Sequence, residues 1–201
     1  MYEKTEQSKL KQMEIVGQLQ KQYVDFTTSL FREGYLDDQY VQLQKLKDES
    51  NPEFVVEVVS IFFEDSEKLL NDLACSLSVS ISLLWVLFCV PDLLIDFNFF
   101  SFFLILFQLY SQQQVVDFKK VDGYVHQFKG SSSSVGAQRV KNACAAFRNF
   151  CEDKNLDGCL RYLNLVKQEF YLVKSKLETL SRLERQILQA GGTVPLIESC
   201  H

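Results

Sequence analysis

The side chains best suited to chemistry gather in one short stretch, which reads VHQFKGSSSS from Val125 to Ser134. The stretch holds His126, one of only two histidines in the 201-residue chain, and the other histidine is the last residue. An imidazole that is neutral at cellular pH is a usable nucleophile and can accept a phosphoryl group. We therefore interpret His126 as a candidate phosphoacceptor, provided that it faces solvent.

The hydrophobic spacing around His126 predicts a helix that turns the imidazole outward. Apolar residues recur there at the gaps of three and four that are typical of one buried helical stripe: Phe118, Val121, Val125 and Phe128. His126 follows Val125 by one residue and so points roughly a third of a turn away from that stripe. The helix should therefore present His126 to solvent.

The neighbours of His126 suit a phosphorylated imidazole. Lys129 lies one turn further on, where its ammonium would offset phosphoryl charge. Gly130 removes side-chain bulk where another protein must come close. Gln127 and Ser131 are weaker candidates for polar contacts, and the serines in general offer small hydroxyl donors. The alternative interpretation is a solvated surface histidine beside a serine-rich helix end.

The wider pattern favours the first interpretation, because His-Gln-x-Lys-Gly-Ser-Ser-x-Ser resembles the signature of plant histidine-containing phosphotransfer proteins at every fixed position. The similarity extends to further segments on both sides, at 51–59, 62–66, 136–144, 147–151 and 166–169. It covers most of the chain except about 75–111. A match of this length is specific.

The resemblance implies a phosphocarrier of a multistep two-component phosphorelay rather than an enzyme with its own ATP site. A receiver-domain aspartate of a hybrid histidine kinase would give its phosphoryl group to His126, and a response-regulator aspartate would take it. Lys129 would be the charge partner. Arg148, on the next helix, either approaches the site or is a solvated helix arginine. The first two helices would supply the apolar rim for receiver docking.

The plant-type resemblance also suggests cytokinin signalling and a place in both cytoplasm and nucleus. Two other classes of function stay open. One is a helical module that binds receivers without phosphotransfer, although such a module would tolerate loss of His126. The other is a membrane-tethered form.

Composition narrows the partners. The net charge of −5 and the pI near 5.1 argue against a general nucleic-acid binder. The six cysteines form no C-x-x-C pair, so we expect buried reduced thiols and no metal or other cofactor. The N-terminus is polar, without the hydrophobic region of a signal peptide, so we expect the protein to start in the cytosol. We also expect a monomer.

The periodicity along the chain predicts an all-α fold in one domain. A long helix over 8–32 should end at Gly34, and a short second helix should follow near Tyr40. Ser50-Asn51-Pro52-Glu53 is a start signal for the third helix. The His126 helix should break near Val135-Gly136. Two further helices should follow, the last one capped by Asn155 or Asp153 and ended by Gly191-Gly192.

Short connections between such helices indicate antiparallel neighbours. We expect an antiparallel four-helix bundle made of the third helix, the His126 helix and the two after it. The two extra N-terminal helices would pack on one end. The domain would have its core in 8–74 and 112–190 and a loose tail in 191–201.

The stretch 76–110 does not fit this pattern. It lacks Lys, Arg, Glu, Gly and Ala, and its charges are Asp92 and Asp96. A membrane segment or hairpin is one interpretation, although the apolar runs are short of a clean span of about 20 residues. An extra element packed on the bundle end is another. We favour a third, translated non-coding sequence, because its residues are those that T-rich codons encode.

Overall fold

The computed structural model describes residues 2–47, 51, 53–78 and 116–197, and these residues form an all-helical fold. An isolated antiparallel bridge, Leu36 to Ala137, is the β pairing found in that part of the chain. The described helices are α1 Tyr2–Arg32, α2 Asp38–Lys45, α3 Phe54–Ser78, α4 Phe118–Ser134, α5 Gln138–Glu152 and α6 Leu156–Gln189. The all-α prediction is therefore confirmed.

The four-helix bundle is built from α3, α4, α5 and α6. Helix α4 packs on α3 and α5, and α6 packs on the same two helices to close the ring. Helix α1 runs antiparallel to the C-terminal half of α6. At one end of this pair of helices, the ammonium of Lys176 lies 3.7 Å from the carboxylate of Glu33. Toward the other end, Gln12 Nε2 donates to the Ala190 carbonyl at 3.1 Å. Helix α2 packs on α4.

An aromatic cluster lies at the centre of the bundle and joins three of its helices. Phe170 of α6 meets Phe62 of α3 at 5.9 Å and Phe128 of α4 at 6.0 Å between ring centroids, both edge to face. All three rings are buried. Edge-to-face aromatic pairs add stabilisation beyond the burial of apolar area. Apolar residues at spacings of three and four are buried along α5 from Val140 to Cys151 and along α6 from Leu163 to Ile187, whereas Val58 of α3 is half-buried.

Side-chain caps start three of the helices. Asp37 accepts from the Gln39 amide before α2, Asp117 from the Lys120 amide before α4, and Asn155 from the Gly158 amide before α6. Each cap satisfies one of the amides that a helix start leaves without an internal partner. Of the two caps that we considered for the last helix, the structure selects Asn155.

The break between α4 and α5 is the point where the two N-terminal helices join the bundle. Gly136 has φ of +73°, and its carbonyl accepts from the Asp37 amide at 3.0 Å. The Gln138 amide donates to the Tyr35 carbonyl at 3.1 Å. The connection before α2 and the connection before α5 thus satisfy each other's backbone groups.

The structure describes only part of the expected insert, 75–111, and only part of the expected tail, 191–201. Helix α3 continues through Ser78, four residues into the expected insert, and Leu77 is fully buried. The rest of 75–111, with all three interpretations of it, lies outside the described residues. Among the described helices, none has the length and apolar character needed to cross a membrane. Part of the expected loose tail lies against the protein, since Gln20 donates to the Thr193 carbonyl at 2.8 Å and Val194 and Ile197 pack on the core, whereas Leu196 is exposed.

The cysteines of the bundle are packing residues. Cys144, Cys151 and Cys159 are buried and reduced, as we expected, and Cys75 is reduced and exposed. Burial raises the pKa of Cys151 to about 12, so its thiol stays protonated and unreactive at cellular pH. Cys89 and Cys200 lie outside the described residues.

Replacing Gly136 with alanine should destabilise the fold more than the same change at Gly34. Both glycines have positive φ, at +73° and +71°, which costs an alanine about 1–2 kcal/mol. A Cβ on Gly136 would also lie 2.6 Å from the Tyr40 amide nitrogen, whereas a Cβ on Gly34 would meet nothing within 4 Å. We expect about 3 kcal/mol or more for Gly136→Ala. Urea unfolding measures both losses, and equal losses would contradict the proposed contact.

Candidate functional site

His126 lies in the middle of α4 and its side chain is exposed. Val125 and Phe128, on either side of it, are fully buried, and the Phe128 ring is held against Phe170. The rotation of α4 is fixed by these two anchors, so the imidazole has to point away from the core. The predicted orientation of His126 is what the structure has.

Lys129 lies one turn after His126 on the side of α4 that meets α5. Its side chain is half-buried, and its charge acts on the thiol of Cys144 in α5. Burial raises the pKa of Cys144 to about 12, and the ammonium of Lys129 opposes part of that rise. Side chains on a helix lean toward its N-terminus, so Lys129 leans back over the turn that holds His126.

Arg148 of α5 reaches α4 and binds the carboxylate of Asp122. Its Nε donates to Oδ1 at 2.7 Å and its Nη2 donates to Oδ2 at 3.1 Å. These hydrogen bonds raise the pKa of Arg148. Asp122 precedes His126 by four residues, which places the two side chains one above the other on the same helix face. Arg148 therefore lies one turn from the imidazole.

Asp122 was not among the site residues predicted from the sequence. Its spacing from His126 was visible, but nothing along the chain indicates that an arginine 26 residues later is its partner. That pairing depends on the register between α4 and α5, which only the packed bundle sets.

The serines after Lys129 turn their hydroxyls into their own helix. Ser131 and Ser132 both donate to the Phe128 carbonyl, at 3.1 and 2.8 Å, and Ser133 donates to the Lys129 carbonyl at 2.8 Å. A hydroxyl has one proton to donate, so these donors are already in use. Ser131 also lies roughly 140° around the helix from His126. We expected the serines to offer hydroxyl donors near the imidazole. In the structure their hydroxyls instead donate to backbone carbonyls of their own helix.

Glycines leave the approach to the imidazole open. Gly123 and Gly130 are exposed, three residues before and four after His126. A Cβ built on either one would meet nothing within 4 Å. Each costs the helix about 1 kcal/mol relative to alanine, and no contact with the described residues requires it. Gln127 is also exposed, about 100° around the helix from His126.

The fold and the site together define a class of protein: a helical bundle that presents one imidazole, with basic side chains beside it, on an open helix face. The Hpt domain family model matches residues 57–186, which is more than half of the chain. The chain is 51% identical over 181 residues to histidine-containing phosphotransfer protein 1 of Arabidopsis thaliana, covering 90% of this chain and 96% of that protein.

A second relative and a solved structure agree with this assignment. Histidine-containing phosphotransfer protein 5 of Arabidopsis thaliana is 45% identical over 184 residues, covering 92% of this chain and 96% of that protein. The crystal structure of histidine-containing phosphotransfer protein MtHPt2 from Medicago truncatula is 41% identical, covers 87% of this chain and 96% of that chain, and superposes with a TM-score of 0.65. The protein belongs to the histidine-containing phosphotransfer (Hpt) family.

Gly130→Ala should stabilise the protein and slow its phosphotransfer. The stability gain should be up to about 1 kcal/mol, because alanine favours the helix and its methyl group has free space. The same methyl group would stand where a partner must approach His126. The measurements are urea unfolding and the rate of phosphoryl uptake from a phosphorylated receiver domain.

Gly17→Ala is the matched control, because a Cβ there also meets nothing within 4 Å. Gly17 lies in α1 next to Val16, which contacts Gly192 beyond the end of α6. Although α1 is one of the two helices expected to supply the docking rim, Gly17 lies beside the tail after α6, so Gly17→Ala should gain similar stability without a change in transfer rate. An unchanged rate in Gly130→Ala would show that the open space at Gly130 has no part in docking.

Proposed function

We propose that the protein carries a phosphoryl group on His126 between receiver domains of a two-component phosphorelay. The observation that carries the proposal is the exposure of His126 between the buried anchors Val125 and Phe128. An acceptor that reacts with a group held by another protein needs this exposure. A histidine with a packing role would lie on the buried stripe instead.

The reaction needs only an exchange of bonds to phosphorus. A ring nitrogen of His126, which we take to be Nε2, attacks the aspartyl phosphate of the donor receiver. The P–N bond forms as the P–O bond to the donor carboxylate breaks, and that carboxylate keeps the electron pair. The proton on the other ring nitrogen then passes to solvent. Transfer to the second receiver runs through the reverse exchange, with its aspartate as the nucleophile.

Two cations at the site suit the charge that arrives on the imidazole. Lys129 leans toward His126 from the following turn, and Arg148 lies beside the preceding turn. A charge-assisted hydrogen bond to phosphoryl oxygen is about twice as strong as a neutral one. We assign Lys129 as the primary charge partner. Gln127 and Gly130 border the imidazole and would meet the receiver surface.

Receiver domains of hybrid histidine kinases and of response regulators are the proposed partners. Binding should be weak and transient, since a shuttle must release both of them. We propose that the protein acts as a monomer, that it has no ATP site of its own, and that it does not bind nucleic acid. We also propose a role in cytokinin signalling, which fits the similarity to histidine-containing phosphotransfer proteins of Arabidopsis thaliana, and a place in both cytoplasm and nucleus.

The test is transfer of labelled phosphate from a phosphorylated receiver domain to the full-length chain, after aggregates have been removed by centrifugation. We expect acid-labile label on the wild type and none on His126→Gln. Unchanged labelling of His126→Gln would assign the phosphoryl group to another residue. A soluble wild type that takes up no label would favour a helical module that binds receivers without phosphotransfer.

Lys129→Gln should slow uptake of the label by about tenfold, as expected for one lost hydrogen bond to a charged group. Lys129→Arg should keep most of the rate because it keeps the charge. Lys167→Gln is the matched control, since Lys167 is an exposed lysine that lines the groove between α3 and α6. If the two glutamine variants are equally slow, the charge of Lys129 has no special role.

A further inference from the structure

The ion pair between Arg148 and Asp122 has a geometry that a phosphoryl group could take over. Two parallel N–H donors of the guanidinium face the two carboxylate oxygens, at 2.7 and 3.1 Å. The same planar fork fits two oxygens of a phosphoryl group. Both side chains are 29% exposed, so neither is locked into the core.

The guanidinium of Arg148 lies where it could bind either the carboxylate of Asp122 or a phosphoryl group on His126. Asp122 and His126 are four residues apart on α4, and side chains with this spacing are neighbours about 5–6 Å apart at Cβ. Side chains of an α-helix generally lean toward its N-terminus, which for His126 is the direction of the turn that holds Asp122. A phosphoryl group on the imidazole would therefore arrive next to the carboxylate that already holds Arg148.

We propose that Asp122 is a positioning residue for phosphotransfer, which holds Arg148 beside His126 and yields it to the phosphoryl group once the imidazole is phosphorylated. This inference rests on the proposed function. No covalent step is added, because the guanidinium only exchanges one oxyanion for another. In the unphosphorylated protein Asp122 keeps the arginine in place, and in the phosphorylated protein it becomes an unpaired anion near a second anion.

The exchange keeps the phosphoryl group from being held too firmly. The gain from the new Arg148 contact is offset by loss of the Asp122 contact and by repulsion between Asp122 and the phosphoryl group. Two unit charges a few ångströms apart repel each other only weakly in water, and screening by salt weakens the repulsion further. Removing the Asp122 charge should therefore shift the transfer equilibrium toward phosphorylated His126 by about three- to tenfold.

A purely structural role for the pair would give a different result. Helices α4 and α5 are already joined through buried residues such as Val125 and Cys144, and half-exposed ion pairs add little to stability. A structural pair would therefore change the melting temperature slightly and leave the transfer equilibrium unchanged.

The experiment measures the equilibrium constant for phosphoryl exchange between one phosphorylated receiver domain and four full-length chains. These are the wild type, Asp122→Asn, Arg148→Gln and the double variant. Competition predicts a three- to tenfold shift for Asp122→Asn when Arg148 is present, and a clearly smaller shift when Arg148 is absent. Glu152→Gln is the matched control, because Glu152 is an exposed carboxylate that acts on Arg148 through its charge. Its shift should be smaller than that of Asp122→Asn.

Two results would overturn the inference. One is no shift in Asp122→Asn, and the other is an equal shift with and without Arg148, which would be a simple field effect. If the wild type takes up no phosphoryl group from the receiver, the proposed function and this inference fail together. Label on the wild type with either of the first two results removes the inference alone.

A second measurement avoids reliance on variants that fold poorly. The wild-type chain is phosphorylated with phosphoramidate, and the Nε–H resonance of Arg148 is followed by NMR. We expect this resonance to move on phosphorylation and to stay unchanged in His126→Gln treated in the same way. In the exchange experiment, Asp122→Glu keeps a carboxylate at this position, so its equilibrium constant should lie near that of the wild type. A stationary Arg148 resonance in the phosphorylated wild type would show that the guanidinium does not change partners.

Discussion

The packing of Phe128 against Phe170 is the contact on which the site depends. The two rings meet edge to face at 6.0 Å, and Phe170 also meets Phe62 of α3. This cluster fixes how α4 is rotated about its axis, and rotation decides which residues face solvent. A change of 100° would exchange His126 with a neighbour on the helix. The core therefore acts on function through the angle of one helix.

Small and self-satisfied residues around His126 fit the demands of a docking surface. Gly123 and Gly130 each weaken α4 by about 1 kcal/mol, with no compensating contact inside the protein. The serine run that follows bonds to its own backbone and so leaves few free donors at the surface. These glycines and serines therefore add little side-chain bulk and few free hydroxyl donors to the surface around His126. A carrier with two successive partners needs contact without strong binding.

The sequence was sufficient for features that depend on position along one helix. Spacing predicted the exposure of His126 and the burial of Val125 and Phe128, because burial follows the 3.6-residue period. The same spacing put Lys129 near His126. It could not show that Arg148 binds Asp122, or that Gly136 lies against Tyr40, since both depend on how separate helices meet. The prediction that the serines offer hydroxyl donors near His126 was also wrong. The spacing of residues does not show whether a serine hydroxyl donates to a backbone carbonyl of its own helix.

The charges near His126 explain how one site could both accept and release a phosphoryl group. Lys129 alone would favour a phosphorylated His126, and an unpaired Arg148 would favour that state further. With Arg148 bound to Asp122, that second cation brings an anion with it, so the preceding turn is nearly neutral. Under the proposed exchange, an arriving phosphoryl group would have to compete with Asp122 for Arg148. Because both side chains of the pair are partly exposed, solvent limits the strength of the contact with Asp122 and would limit a contact with a phosphoryl group in the same way.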